Sequence, residues 1–182
     1  MTTTTHTPIP VGTWSVDPAH STVGFVARHL VISKVRGSFR SFGGTVNVSE
    51  NPLESSVTAT VDMASVDTAD ESRDDHLKGS DFFDVENHPT MTFASTGLVA
   101  TGDGYRLNGD LTIKGVTRPV GFDLEVSGVS PDPWGGTRVA FSATTEINRK
   151  DFGLEWNVVM ETGGVLVGEK IRIELDIQAV KS

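Results

Sequence analysis

The segment near the carboxyl end constrains this chain most. Ile171, Ile173, Leu175, Ile177 and Ala179 alternate strictly with Lys170, Arg172, Glu174, Asp176 and Gln178. A period of two puts one set of side chains on each face of a sheet, so this stretch is a strand with one oily face and one wet face. The pattern recurs in Tyr105–Ile113, in Val120–Val126, around Val139-Phe141-Ala143, Val57-Ala59-Val61-Met63 and Met91-Phe93, and in Val23-Phe25-Ala27-His29. Composition agrees, with 23 Val, 21 Thr and 7 Ile against 10 Leu and 10 Ala. β-Branched side chains lose rotamer freedom in helices and pack well on pleated sheets.

One-sided strands of this kind belong to antiparallel sheets rather than to doubly buried parallel ones. Turn signals at Asn51-Pro52, Gly102-Asp103-Gly104, Gly115, Pro131-Asp132-Pro133 and Gly163-Gly164 separate nine strands near 12–17, 21–30, 35–48, 55–66, 90–101, 104–114, 118–129, 137–148 and 165–180. The first two read as one strand broken at Pro18. Only Asp67–Gly79 lacks alternation. Thr68 or Asp70 can cap a short helix there, acids fill its first turn, and Gly79 ends it. With little more than Ala69 and Leu77 to bury, that helix belongs on the surface over a barrel mouth, anchored by Phe82 and Phe83. Phe39 and Phe42 are three apart, so a kink at the neighbouring glycines is expected to bring both inward.

No substantial helix covers the oily faces, so the sheet must fold on itself as a sandwich or close as a barrel. About eight strands enclose an interior that is either filled by side chains or left open for one small ligand. The expected fold is therefore all-β, an eight-stranded antiparallel barrel with one short helix near the mouth. Residues 1–11 read as a disordered tail and 12–182 as one domain. The amino end lacks the basic start and apolar stretch of a secretory leader, so the chain reads as cytoplasmic or as a mature form whose leader has been removed.

The search for chemistry excludes more than it finds. The chain has no cysteine, and no apolar run approaches the roughly 18 to 20 residues of a spanning helix. A net charge of −9 repels nucleic acid and disfavours anionic membrane. No Gly-x-Ser-x-Gly elbow and no His pair at metal-ligand spacing occurs; Asp151-Phe152-Gly153 matches the kinase tripeptide without the loops that would give it meaning. His20 and Ser21 are neighbours on a strand and would point to opposite faces, so they form no dyad. Asp74-Asp75-His76 reads as a solvated helix face rather than a hard-metal cluster, and Arg149 and Asp151 read either as a local ion pair in a turn or as a polar handle for a ligand. His29 shares the face of Val23 and Phe25, either as a hydrogen-bonded core histidine or as a polar handle for a ligand. On the residues alone, three readings stand: a hollow barrel for a greasy ligand, an enzyme such as a hydrolase or isomerase acting on a hydrophobic substrate through His29 or the Arg73–His76 cluster, and a solid β-domain used for protein interaction.

Several short patterns in order resemble the YceI-like family of polyisoprenoid-binding, lipocalin-like barrel proteins. They are Trp14-Ser15-Val16-Asp17-Pro18-Ala19-His20-Ser21, Gly37 with Phe39, Phe42 and Gly44, Arg73–Lys78 followed by Phe82-Phe83-Asp84, Pro89 with Phe93 and Ser95, Gly109–Thr117, and Asn148–Gly153. The resemblance implies an extended lipocalin-like barrel holding a long isoprenoid chain, as a polyisoprenoid or as the tail of an isoprenoid quinone. It implies no catalytic machinery and no required cofactor. Many members are periplasmic and carry a leader, a pattern not read at the amino end of this sequence. The expected lining is Phe25, His29, Phe39, Phe42, Phe93, Leu111, Ile113, Phe141 and Trp156. The expected partner is a hydrophobic isoprenoid, without nucleic acid, metal or stable membrane insertion; a homodimer is compatible with the sequence. Each buried methylene contributes ~0.8 kcal/mol, so a five-carbon unit contributes about 3 to 4 before ordering costs, and tight binding then needs no charged anchor.

Overall fold

The structure is a computed structural model describing residues 8–30, 33–157 and 167–182. Within it, β1 (Gly12–Val16) and β2 (Thr22–His29) are two halves of one strand. They are separated by a 3₁₀ turn at Pro18–His20 whose cap, Asp17, accepts from the Ala19 N–H at 3.0 Å. The next two strands break the same way. β3 (Ser33–Phe39) and β4 (Phe42–Val48) meet at Arg40-Ser41, and β5 (Ser56–Asp62) and β6 (Val66–Asp67) are joined by a 3₁₀ turn at Met63–Ser65. The breaks are tied together, because Arg40 N donates to Ser65 O at 3.1 Å and Asp62 N to Ser41 O at 2.9 Å. Three neighbouring strands thus bend in succession.

Five long strands complete the wall: β7 (Thr90–Ala100), β8 (Tyr105–Ile113), β9 (Val116–Pro131), β10 (Thr137–Asn148) and β11 (Val167–Lys181). All pairings are antiparallel, and β1 pairs with both β4 and β11, which closes the sheet. Counting the three broken strands once each, the result is a closed eight-stranded barrel with one helix, α1 (Glu71–Lys78). Asp70, not Thr68, caps α1, accepting from Arg73 N at 3.0 Å. The opening of the strand expected at 165–180 and the Gly163-Gly164 turn fall partly or wholly on 158–166, outside the described residues.

The expected kink between Phe39 and Phe42 is present, but it sits at Arg40-Ser41 rather than at a glycine. Gly37 serves another purpose. It pairs with Phe25 across β2–β3, and a Cβ there would stand only 2.3 Å from Cζ of the Phe25 ring. Gly109 likewise lies beneath the Phe93 ring and the Ala94 carbonyl. Both glycines let a phenylalanine lie flat against the wall.

The interior divides along the barrel axis. At the α1 end a core of Phe39, Met63, Phe82, Phe152 and Leu154 packs under the helix. At the end holding both chain termini, fully buried Trp14 packs with Val139 and Ala179. Ile9 joins that cluster and the Trp14 indole donates to Pro10 O at 3.1 Å, so the described residues before β1 are held against the barrel. The remainder of the expected tail, residues 1–7, lies outside the described residues.

Candidate functional site

Between and beside these two clusters the barrel is hollow, and the cavity reaches the end that holds the termini, where Pro8, Ile9 and Pro52 border it. An upper chamber of about 620 Å³ lies beneath α1, and a lower chamber of about 360 Å³ lies toward the termini. Val23, Met91 and Ile173 line both chambers and form the waist where they meet. Inward-facing Val23, Phe25, Ile173 and Leu175 are only partly buried although they point away from solvent. Side chains in a solid core would be close-packed on all sides.

All nine residues expected to line the lumen do border it. Phe25, His29, Phe39, Ile113 and Trp156 border the upper chamber, and Phe42, Phe93, Leu111 and Phe141 the lower. Their conditions differ. Leu111 and Ile113 are each 4% exposed and belong to the packed core as much as to the cavity wall. Phe93 meets Phe122 edge-on at 5.4 Å, and Phe25 leans on Phe39 at 5.6 Å. Leu98 also lines the lower chamber although its parity is opposite to that of Phe93; a bulge between Ser95 and Gly97 shifts the phase by one residue.

Polarity is distributed unevenly. Ionisable groups border the upper chamber, including His29, Arg73, His76 and Arg149, whereas Tyr105 is the one titratable side chain described on the lower wall. The helix closing the upper mouth is held through specific contacts. Asp74 accepts from both the backbone N–H (2.9 Å) and the hydroxyl (2.6 Å) of Thr68, which is itself buried, and Arg73 donates to that hydroxyl at 2.8 Å. His76 approaches Asp81 at 3.0 Å and stands edge-on to Trp156 at 4.6 Å and to Phe82 at 5.0 Å. The Asp74-Asp75-His76 run is therefore not a uniformly solvated face: two of its three side chains are engaged in fastening the lid. Phe82 is 7% exposed and Phe83 packs on the same core, the anchoring expected of them.

Arg149 departs most from the expectation. It does not pair with Asp151. Its side chain is 2% exposed and donates to four backbone carbonyls, those of Leu154 (2.5 Å), Trp156 (3.0 Å), Val167 (3.3 Å) and Gly168 (2.9 Å). Burial lowers its pKa from the usual arginine value while the charge of Glu169 opposes that change. A guanidinium presents five donors in a fixed fork, and here four of them clamp the stretch after β10 to the start of β11 beside the upper chamber. The remaining histidine of interest, His20, hydrogen bonds Asp17 at 2.7 Å while Ser21 bonds the Gln178 backbone, so the two form no dyad.

The model of the YceI-like domain matches residues 14–179. A UPF0312 protein of Staphylococcus epidermidis is 38% identical over 163 residues, covering 88% of this chain and 93% of that relative. This chain belongs to the YceI-like family. Among solved structures, BcnA of Burkholderia cenocepacia superposes with a TM-score of 0.78 at 27% identity, covering 90% of this chain and 98% of that one. The YceI protein of Campylobacter jejuni superposes at 0.74 with 28% identity, covering 85% and 90%. A polyisoprenoid binding domain from Saccharophagus degradans shares the fold at a TM-score of 0.64 and 14% identity, covering 93% and 98%. The YceI-like barrel described above is thus continuous with its relatives over nearly the whole chain.

Proposed function

We propose that this YceI-like barrel binds, stores or transports a long isoprenoid lipid, a polyisoprenoid or an isoprenoid quinone, without catalysing a reaction on it. The observation that carries this reading is the two-chamber lumen, mostly apolar in its lower part and joined at a waist of Val23, Met91 and Ile173. An apolar cavity of this size has no counterpart in a barrel filled by its own side chains, so the solid-domain alternative does not describe this interior. The lower chamber suits a hydrocarbon tail, and the upper chamber, with His29, Arg73 and His76 around it, suits a polar head. The nine lining residues named above are the proposed contacts. The isoprenoid class is further supported by the shared fold of the polyisoprenoid binding domain of S. degradans.

An enzyme in the same cavity would need an ionisable group deep inside with a partner positioned for proton transfer. Among the described residues the buried ionisable group is Arg149, and four of its donors are engaged by backbone carbonyls. Organic extraction of natively purified protein followed by mass spectrometry tests the carrier reading. An isoprenoid at near-stoichiometric yield is expected; recovery of no lipid, together with no uptake of isoprenoid chains by the purified protein, overturns it.

A further inference from the structure

Five large hydrophobic side chains stand exposed on the described surface, and four of them are at one end of the barrel. Trp134 (77% exposed) is at the tip of the β9–β10 hairpin, Val11 (54%) just before β1, Leu53 (42%) in the β4–β5 connection and Val99 (55%) at the end of β7. The antiparallel pairings place these loops as neighbours around the lower rim. Arg138 of the hairpin stem pairs with Val180, Lys181 with Trp14, Gly12 with Val48, Asn47 with Ser56, and Ala100 with Tyr105. The lower chamber extends to the same end, where Pro8, Ile9, Pro52 and Ser55 border it. None of the four exposed residues lines either chamber, so the contents of the lumen do not account for them.

The opposite end is chemically different. Between Asp67 and Glu86, the stretch that carries the helical lid, eight acids face only Arg73 and Lys78 among bases. The lower rim carries Glu50, Glu54, Asp103 and Asp132 against Lys181, and Asp132 approaches Arg138 at 3.5 Å. Among the described residues, the lower end carries four of the five exposed large hydrophobics, Leu30 at the opposite end being the fifth, and Trp134 supplies an aromatic ring of the kind that settles at a lipid–water boundary.

We propose that the barrel docks on a bilayer surface with this lower rim, and that the lipid enters through it head first. Its head then reaches the polar upper chamber while the tail trails in the apolar lower one. The contact is peripheral: loop tips enter the interface and no segment spans the membrane. The entry route rests on the lipid-binding reading above; the docking surface does not. With a net charge of −9, the favoured surface is zwitterionic, and anionic lipid weakens the contact.

Because the chain has no cysteine, a nitrobenzoxadiazole label can be placed at one site at a time. In Trp134→Cys and Val99→Cys, phosphatidylcholine vesicles are expected to raise the label's emission several-fold and shift it to the blue, and Asp75→Cys on exposed α1 is expected not to respond. Silence at both rim sites, or an equal response at Asp75→Cys, overturns the docking. So does a rim response that follows protein concentration without vesicles, which would show a second copy of the chain covering this face. For entry, tetraprenyl menaquinone is supplied either in phosphatidylcholine vesicles or from dilute detergent, and quenching of tryptophan emission reports uptake. The combined Leu53→Ser, Val99→Ser and Trp134→Ser variant should take up the quinone from vesicles at least tenfold more slowly and from detergent unchanged. Equal rates from vesicles overturn entry through the rim. No quenching of the parent protein from either source counts against lipid binding itself and leaves the label experiment to decide docking.

Discussion

A single carboxylate at the waist separates a lipid that threads both chambers from one confined to either. Ile173 borders both chambers, and its neighbours at the constriction, Val23 and Met91, offer a charge nothing to bond with. The flanking Arg172 and Glu174 have the opposite parity and are hydrogen bonded to each other at 2.9 Å. In Ile173→Glu with an empty lumen, the new carboxyl meets solvent in the cavity and titrates near the ordinary value of about 4.3. A hydrocarbon tail drawn past it removes that water. Desolvation raises a buried carboxyl by up to roughly 3 to 5 units; a rise of about 3, at 1.36 kcal/mol per unit, is about 4 kcal/mol, or roughly a thousand-fold in affinity. The sign follows from the raised pKa of the filled state. Below about pH 4 the carboxyl is neutral with or without lipid and the penalty vanishes; it grows as pH rises and levels off above about pH 7. Quenching of tryptophan emission by tetraprenyl menaquinone measures affinity across this range, since Trp156 borders the upper chamber. Ile173→Gln, matched in shape but uncharged, should show a smaller loss that does not vary with pH. If the Glu and Gln variants bind equally from pH 4 to pH 8, the tail does not pass the waist and the threaded lumen is wrong.

Other consequences can be measured directly. Arg149→Met removes a buried guanidinium from four carbonyls and should cost about 3 to 5 kcal/mol in urea unfolding, with Arg149→Lys recovering less than half, because one ammonium cannot reach all four acceptors; a loss under about 1 kcal/mol would show that the clamp is dispensable. Gly109→Val forces the Phe93 ring off the wall and should cost roughly 1 to 3 kcal/mol, whereas Gly128→Val, where a Cβ meets nothing within 4 Å, should be nearly silent; equal effects would refute the close-approach argument. Asp17 is held at about 2, below its ordinary 3.8, first by Arg138 and then by His20. A depressed carboxylate stabilises the fold above its unfolded value and loses that contribution as pH falls through the folded one. Asp17→Asn should therefore flatten the decline in thermal stability between about pH 4 and pH 2, and an unchanged slope would assign the acid response elsewhere.

Strand positions and facing were legible because alternation is a local property: every inward residue from Val120 to Val126, or from Ile171 to Ala179, follows from its neighbours. Legibility failed where facing depends on a partner. Leu98 borders the lumen only because a bulge opposite Asn108 shifts the phase, and Gly97 hints at that no more than any other glycine in a strand. Gly37 looked like the source of a bend, but the ring it accommodates belongs to Phe25, on another strand. Arg149 looked like half of an ion pair with Asp151, yet its acceptors are carbonyls up to 19 residues away, and backbone acceptors leave no trace in residue identities. The chambers themselves are sums of side-chain volumes over the whole barrel, which no local pattern records.

The guanidinium clamp does not hold this seam by itself. The Asn157 side chain and the Val167 backbone exchange two further hydrogen bonds, at 2.7 and 3.0 Å. Two separate side chains thus hold residues 154–157 against the start of β11. Removing the Asn157 amide would leave the guanidinium as the remaining side-chain tie among these described residues, so the two fastenings can be weighed one against the other in the same unfolding experiment.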